Sequence, residues 1–132
     1  MNPRRRKSKR QKAERTGRRS EQIASFMLRL KGYTILETRL KTHKGEIDIV
    51  ARRKDLLVFV EVKARPTVET AILAVTPQAR RRIEAAAHLW ASRIDPAGQL
   101  GRRFDLVAVC PRQWPTHVRD AWRPDFEPRR SQ

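Results

Sequence analysis

Residues 45–64 read GEIDIVARRKDLLVFVEVKA, two apolar runs parted by Arg53, Lys54 and Asp55. Residues 46–52 and 56–64 are rich in Ile, Val, Leu and Phe and contain no Gly or Pro, so both are expected as β-strands. A two-residue loop, Lys54-Asp55, closes them into an antiparallel hairpin. Arg53 then faces Leu56, Val50 faces Phe59, Asp48 faces Glu61, and Glu46 faces Lys63. Side chains alternate faces with period two. One face carries Glu46, Asp48, Glu61 and Lys63, with Val50, Leu57 and Phe59 nearer the turn. The other carries Ile47, Ile49, Ala51, Leu56, Val58, Val60 and Val62. A slip of one residue would send the two acids to opposite faces.

Charge inside an apolar strand costs free energy unless it is paired or binds a metal. Carboxylates placed across an antiparallel pair repel each other. A buried pair of this kind holds either a proton or a cation. Carboxylate oxygens suit Mg²⁺, which keeps several waters and takes one or two protein carboxylates. A nearby lysine stabilises a developing anion or orients a water. These are the parts of metal-assisted phosphodiester hydrolysis. The competing reading is an ion-pair ladder, Glu46 with Lys63 and Asp48 with an arginine, and the spacing alone leaves both open.

Asp48 followed by Glu61-x-Lys63 in the next strand resembles the PD-(D/E)xK signature of restriction enzymes and Holliday-junction resolvases. The longer string is similar to the uncharacterised bacterial YraN family. It runs through Gly32-Tyr33-x-Ile35-Leu36, residues 45–51, residues 59–65, Arg81-Arg82-Ile83 and residues 103–109, covering about 17–109. The resemblance implies an α/β fold: a restriction-endonuclease-like αβββαβ sandwich, with a mixed central sheet flanked by helices. It implies Asp48 and Glu61 as metal-binding acids, with the Val62 carbonyl as a further ligand. Lys63 would position the attacking water, and Glu21 matches the family's helix-one acid. Ser20 stands where the family carries glycine, and Ala79 where it carries lysine, leaving Gln78 and Arg80 as polar neighbours. The implied cofactor is Mg²⁺ or Mn²⁺. The implied activity is endonucleolytic hydrolysis of DNA, on branched or damaged structures. The alternative is a nuclease fold that binds nucleic acid without cutting it. Resolvase-like relatives also suggest a homodimer.

The flanks fit this order. Residues 1–16 are basic and low in complexity and are expected as a disordered arm. Ile23, Phe26, Met27 and Leu30 predict an amphipathic helix over 18–31, with Gly32 as its C-cap. A strand is expected over 34–40 and a turn over 41–44. Residues 66–75 read as an irregular loop. Thr76 as N-cap and Pro77 at the first helical position start a second helix with stripe Ile83, Ala86, Ala87 and Trp90. Residues 104–110 form a last strand, parallel to the one before the helix. Residues 17–110 are thus the nuclease-like domain. The Pro-, Trp- and Arg-rich remainder, 111–132, either packs on the domain or is partly disordered. Trp114 and Trp122 cap the core, stack on a base or seat a partner, and core capping is the favoured expectation.

The chain carries 31 Lys and Arg against 14 Asp and Glu, a net charge of +17, which draws polyanions and says little about fold. Ten basic side chains lie within residues 1–19, while residues 20–110 hold sixteen basic and ten acidic ones. The expected partner is nucleic acid, DNA before RNA, with phosphate contacts from Arg18, Arg19, Lys44, Arg65, Gln78, Arg80 and Arg81. For the helix arginines a merely solvated face is an equal reading. The basic start lacks the apolar run of a secretory signal, and no segment suits a membrane span, so the expected place is the cytoplasm. Cys110 reads as a buried, inert thiol. His43, His88 and His117 stand apart, with no zinc spacing.

Overall fold

The computed structural model describes residues 3–124, and the side chains of residue 11 and of residues 15–124. The order is α1 (Pro3–Leu30), β1 (Thr34–Lys41), β2 (Glu46–Arg53), β3 (Leu56–Ala64), α2 (Val68–Ala74), α3 (Pro77–Ile94), β4 (Gly101–Val109) and β5 (Thr116–Trp122). The five strands form one sheet in sequence order. β3 and β4 are parallel and every other pair is antiparallel. This mixed sheet with helices on both faces is consistent with a restriction-endonuclease-like αβ fold. Among the described residues no helix is long and apolar enough to cross a membrane.

The hairpin forms in the expected register, with Val50 opposite Phe59 and Arg53 opposite Leu56. Lys54 takes a left-handed φ of 55° to make the tight turn. Both hairpin faces are covered. Val50, Leu57 and Phe59 pack with Ile83, Ala86, Ala87 and Trp90 of α3, whose Thr76 cap and Pro77 start match the sequence reading. Ile49, Ala51, Val58, Val60 and Val62 pack under α1. Ile47 departs from the expected alternation and joins the α3 side. The strand therefore reverses its faces between Ile47 and Ile49, at Asp48.

Four expectations are corrected. The first helix begins at Pro3 rather than near residue 18, so the arm expected to be disordered is helical over 3–16. Proline suits a first helical position, and Lys, Arg, Gln, Ala and Glu favour helix. Its buried stripe is Ser20, Ala24, Met27 and Leu28, while Phe26 and Leu30 are exposed. The stripe is rotated because small residues let the helix lie close on the sheet. The expected loop over 66–75 contains α2, started by a reciprocal cap between Thr67 and Thr70. The remainder after Pro111 packs on the domain as β5, and Trp122 is a core residue stacked on Phe104 as expected, whereas Trp114, expected to cap the core, is exposed. The end of that remainder, 125–132, lies outside the described residues. Cys110 is buried as expected.

Gly45 sets how the β1–β2 turn meets α3. Thr42 closes the turn by accepting the Gly45 N–H and donating to its carbonyl. A Cβ at Gly45 would sit 2.7 Å from the Arg82 backbone oxygen. That neighbour is helix backbone and cannot swing aside. We expect Gly45→Ala to destabilise the protein by roughly 1–3 kcal/mol, the range for forced overpacking. Urea unfolding checks this, and an unchanged midpoint would refute the close approach.

Candidate active site

β2 and β3 pair only as far as Ile49 and Val60. Beyond that point they splay, and Asp48 enters the gap. Its Oδ2 accepts the backbone N–H of Val62 at 2.8 Å. In a strand the N–H and C=O of one residue point to the same side. The Val62 carbonyl thus faces the gap that Asp48 occupies. The splay also changes the expected pairing of Glu46, which lies opposite Lys41 of β1 rather than Lys63.

Glu61 follows Val60 on β3, and its carboxylate meets the Lys63 ammonium at 3.4 Å. Asp48, Glu61, Val62 and Lys63 line one cleft together with Thr16, Gly17, Ser20 and Glu21 of α1. The helix is thus the lid of the splayed end of the sheet. Glu21 is held by Arg39, whose Nε donates to Oε1 at 2.8 Å. Arg39 adopts a left-handed φ of 54° beyond the bulge between Ile35 and Glu37. That conformation is uncommon for a non-glycine residue. Sequence reasoning did not find Arg39, because its partner lies on a helix eighteen residues earlier.

Asp48 raises both of the other acids, on top of the effect of burial. Burial and the charge of Asp48 push Glu61 up to about 8, and Lys63 only partly opposes them. Burial also raises Glu21; the bond from Arg39 lowers it, and Asp48 raises it again. A carboxylate pair in this condition binds a proton or a cation. Among the described residues no three His, Cys, Asp or Glu side chains form a closed metal-ligand set. Two carboxylates with a backbone carbonyl and open positions still fit Mg²⁺ or Mn²⁺, which retain waters.

The titration of Glu61 has a sign that can be checked. Its folded value of about 8 lies above the ordinary 4.5, so between these values the folded chain binds the extra proton. Metal-free protein therefore loses stability as pH rises from about 4.5 to 8. Glu61→Gln should remove this slope and be more stable at pH 9 by about 5 kcal/mol. Urea unfolding in chelator at pH 5 and pH 9 measures it, and parallel curves for the two proteins would contradict it.

The basic residues divide. Arg65 lines the carboxylate cleft, and Arg18 borders an adjoining groove with Glu21, Glu46 and Asp48. Arg19 lines the neighbouring cleft, also with Arg65. Lys44 is exposed on the β1–β2 turn. Gln78 and Arg81 are exposed on α3, which covers the face opposite α1. Arg80 is engaged in the fold: it donates to the Val75 carbonyl and lies over the Trp122 ring. His117, read as isolated, is bonded to buried Asp105 at 2.7 Å.

A model of the uncharacterised protein family UPF0102 matches residues 20–109. A UPF0102 protein of Chelativorans sp. (strain BNC1) is 57% identical over 113 residues, covering 86% of this chain and 91% of the relative. One of Mesorhizobium japonicum is 54% identical over 113 residues, 86% and 90% of the two chains. One of Agrobacterium fabrum is 50% identical over 115 residues, 87% and 94% of the two.

Proposed function

The chain belongs to the uncharacterised protein family UPF0102, the YraN family whose motifs its sequence carries, and from that premise we propose that it is a metal-dependent endonuclease acting on DNA. The observation that supports this most is the splay of β2 from β3, which brings Asp48, Glu61 and Lys63 into one cleft under Glu21.

Asp48 and Glu61, with the Val62 carbonyl, would hold Mg²⁺ or Mn²⁺. Such an ion polarises a phosphate and lowers the pKa of a bound water. The Lys63 ammonium sits where it can orient the attacking water and stabilise the charge that builds on the phosphoryl oxygens. Its bond to Glu61 keeps it aimed at the cleft. Glu21, tied by Arg39, is a second carboxylate beside Asp48 that can accept a proton from water. Arg18, Arg19 and Arg65 offer guanidinium forks to flanking phosphates. With a net charge of +17, binding should weaken steeply with salt. The setting we propose is the cytoplasm.

The test is cleavage of flap, junction, single-stranded and plain duplex DNA with Mg²⁺ or Mn²⁺, with Asp48→Ala as control. Mn²⁺ titration should give a heat signal that Asp48 and Glu61 variants lose. DNA binding without that signal and without cleavage would instead identify a binding module on this fold.

A further inference from the structure

Next to the carboxylate cleft lies a second one of about 680 Å³, which shares Thr16, Ser20, Ala64 and Arg65 with it. Its floor forms where the two parallel strands stop. Pro66 stands two residues past the end of β3, and Pro111 two residues past the end of β4. Proline cannot donate to a ladder. Both strands therefore end at one level, tied by the Arg65 N–H on the Val109 carbonyl at 3.2 Å. The crevice beyond the carboxyl ends of parallel strands is where α/β sheets take ligands.

The chemistry of this crevice is two-sided. Ile23, Val109, Cys110 and the two prolines make an apolar floor, and Ile23 is left 36% exposed at its mouth. Arg15, Arg19 and Arg65 stand around it. A flat apolar body with anionic groups at its edge suits such a place, and a nucleotide has that form. Arg65 belongs to both clefts, so a ligand seated here continues into the carboxylate site.

We propose that this cleft receives an unpaired nucleotide adjoining the phosphodiester held at Asp48, Glu61 and Lys63. The inference rests on the nuclease reading and names its substrate class: nucleic acid with an unpaired base beside the cleaved bond, as in a flap, a bulge or a single strand. A base inside a duplex must be unpaired and unstacked before it can enter, and a base already free need not be. None of the residues lining the cleft is aromatic. The base is held by burial rather than ring stacking, and little preference among the four bases is expected.

The experiment compares a perfect duplex with the same duplex carrying a short bulge, using the full chain. Cleavage is measured with Mn²⁺, and binding by anisotropy with the Asp48→Ala protein in Ca²⁺. The bulged substrate should be favoured by on the order of ten- to a hundredfold, because its free base seats in the cleft at no unpairing cost, while a perfect duplex keeps its bases stacked and is cut with the cleft empty. Ile23→Glu puts a repelling charge at the mouth, and Val109→Phe fills the floor. Each should bring the bulged substrate down to the level of the duplex and leave duplex cleavage unchanged. Ile23 is exposed, so its variant should fold even where Val109→Phe does not.

Equal cleavage and binding of the two substrates by the parent would overturn the cleft assignment and leave the nuclease reading standing. So would variants that lower both substrates alike. Binding that favours the bulge and loses that preference in Ile23→Glu, with no cleavage of either DNA, would keep the cleft and overturn the nuclease reading.

Discussion

Asp48→Ala and Glu61→Ala should each lower metal-dependent DNA cleavage by about 10³-fold or more, since the several kcal/mol of charge stabilisation from the ion go with its ligands. DNA binding should stay near the parent's, because the removed groups are acidic and the phosphate contacts are basic. Asp48 has a second job, accepting the Val62 N–H that bridges the splayed strands. Asp48→Asn separates the two roles. An amide oxygen still accepts that bond, so Asp48→Asn should keep the parent's stability while losing cleavage. Glu61→Ala removes a carboxylate that burial and Asp48 both disfavour, so in chelator it should not lower stability. Lys63→Ala should cost less, on the order of 10²-fold, as a lost charge-stabilising and water-positioning group. Initial rates on a panel of DNA structures, with calorimetry for Mn²⁺, make the measurement. If Asp48→Ala and Glu61→Ala both cut as fast as the parent, the nuclease assignment fails.

Asp105→Ala should destabilise the protein by roughly 3–5 kcal/mol, the cost of removing one partner from a buried charged network. Asp105 is fully buried on β4. Arg103 donates to both its oxygens, at 2.8 and 2.7 Å. His117 Nε2 meets it at 2.7 Å, and the Asp120 N–H donates to it at 2.9 Å. Arg103 also reaches the Tyr33 hydroxyl, and Lys31 Nζ lies 2.6 Å from His117 Nδ1. If His117 gives its Nε2–H to Asp105, its Nδ1 is left to accept from Lys31. Removing the carboxylate therefore leaves Arg103 and His117 without this acceptor and loosens the link that runs from Lys31, just past α1, through His117 to β4. Burial alone would raise the Asp105 carboxyl, but Arg103, His117 and the Asp120 amide more than offset it and hold it low. The group stabilises fully above the ordinary carboxylate range, and that contribution is lost as pH falls through its depressed folded value. The parent should thus weaken in acid more than Asp105→Ala does. Urea unfolding at pH 7 and pH 3 tests both statements. A loss under about 1 kcal/mol at pH 7 would show that the network contributes little net stability, since removing one partner of a buried pair normally costs more.

How much could be read from the chain follows the range of the interactions. The hairpin register came through because a two-residue turn and a period-two pattern are local, and both point to Val50 opposite Phe59. The Thr76 cap and the stripe of α3 came through for the same reason. The pairing of Asp48 with Glu61 was legible only in outline. Counting placed the acids at one end of the hairpin, but the splay that lets Asp48 take the Val62 amide breaks the regular pairing on which such counting rests. The face of α1 was misjudged because large apolar residues were weighed over Ser20 and Ala24, and close packing on a sheet favours small ones. α2 has a reciprocal threonine cap that went unread. β5 has a mixed pattern, since an edge strand can leave polar side chains in water. His117 looked isolated because Asp105 lies twelve residues earlier on the neighbouring strand.

Local order along the chain was enough to specify the central hairpin, the start of α3 and the three groups Asp48, Glu61 and Lys63. The tilt and rotation of α1, the fastening of Glu21 by Arg39, the Asp105 network and the twin clefts arise from segments far apart in the chain. Their geometry depends on which faces meet once the core closes, and short-range pattern carries no record of that.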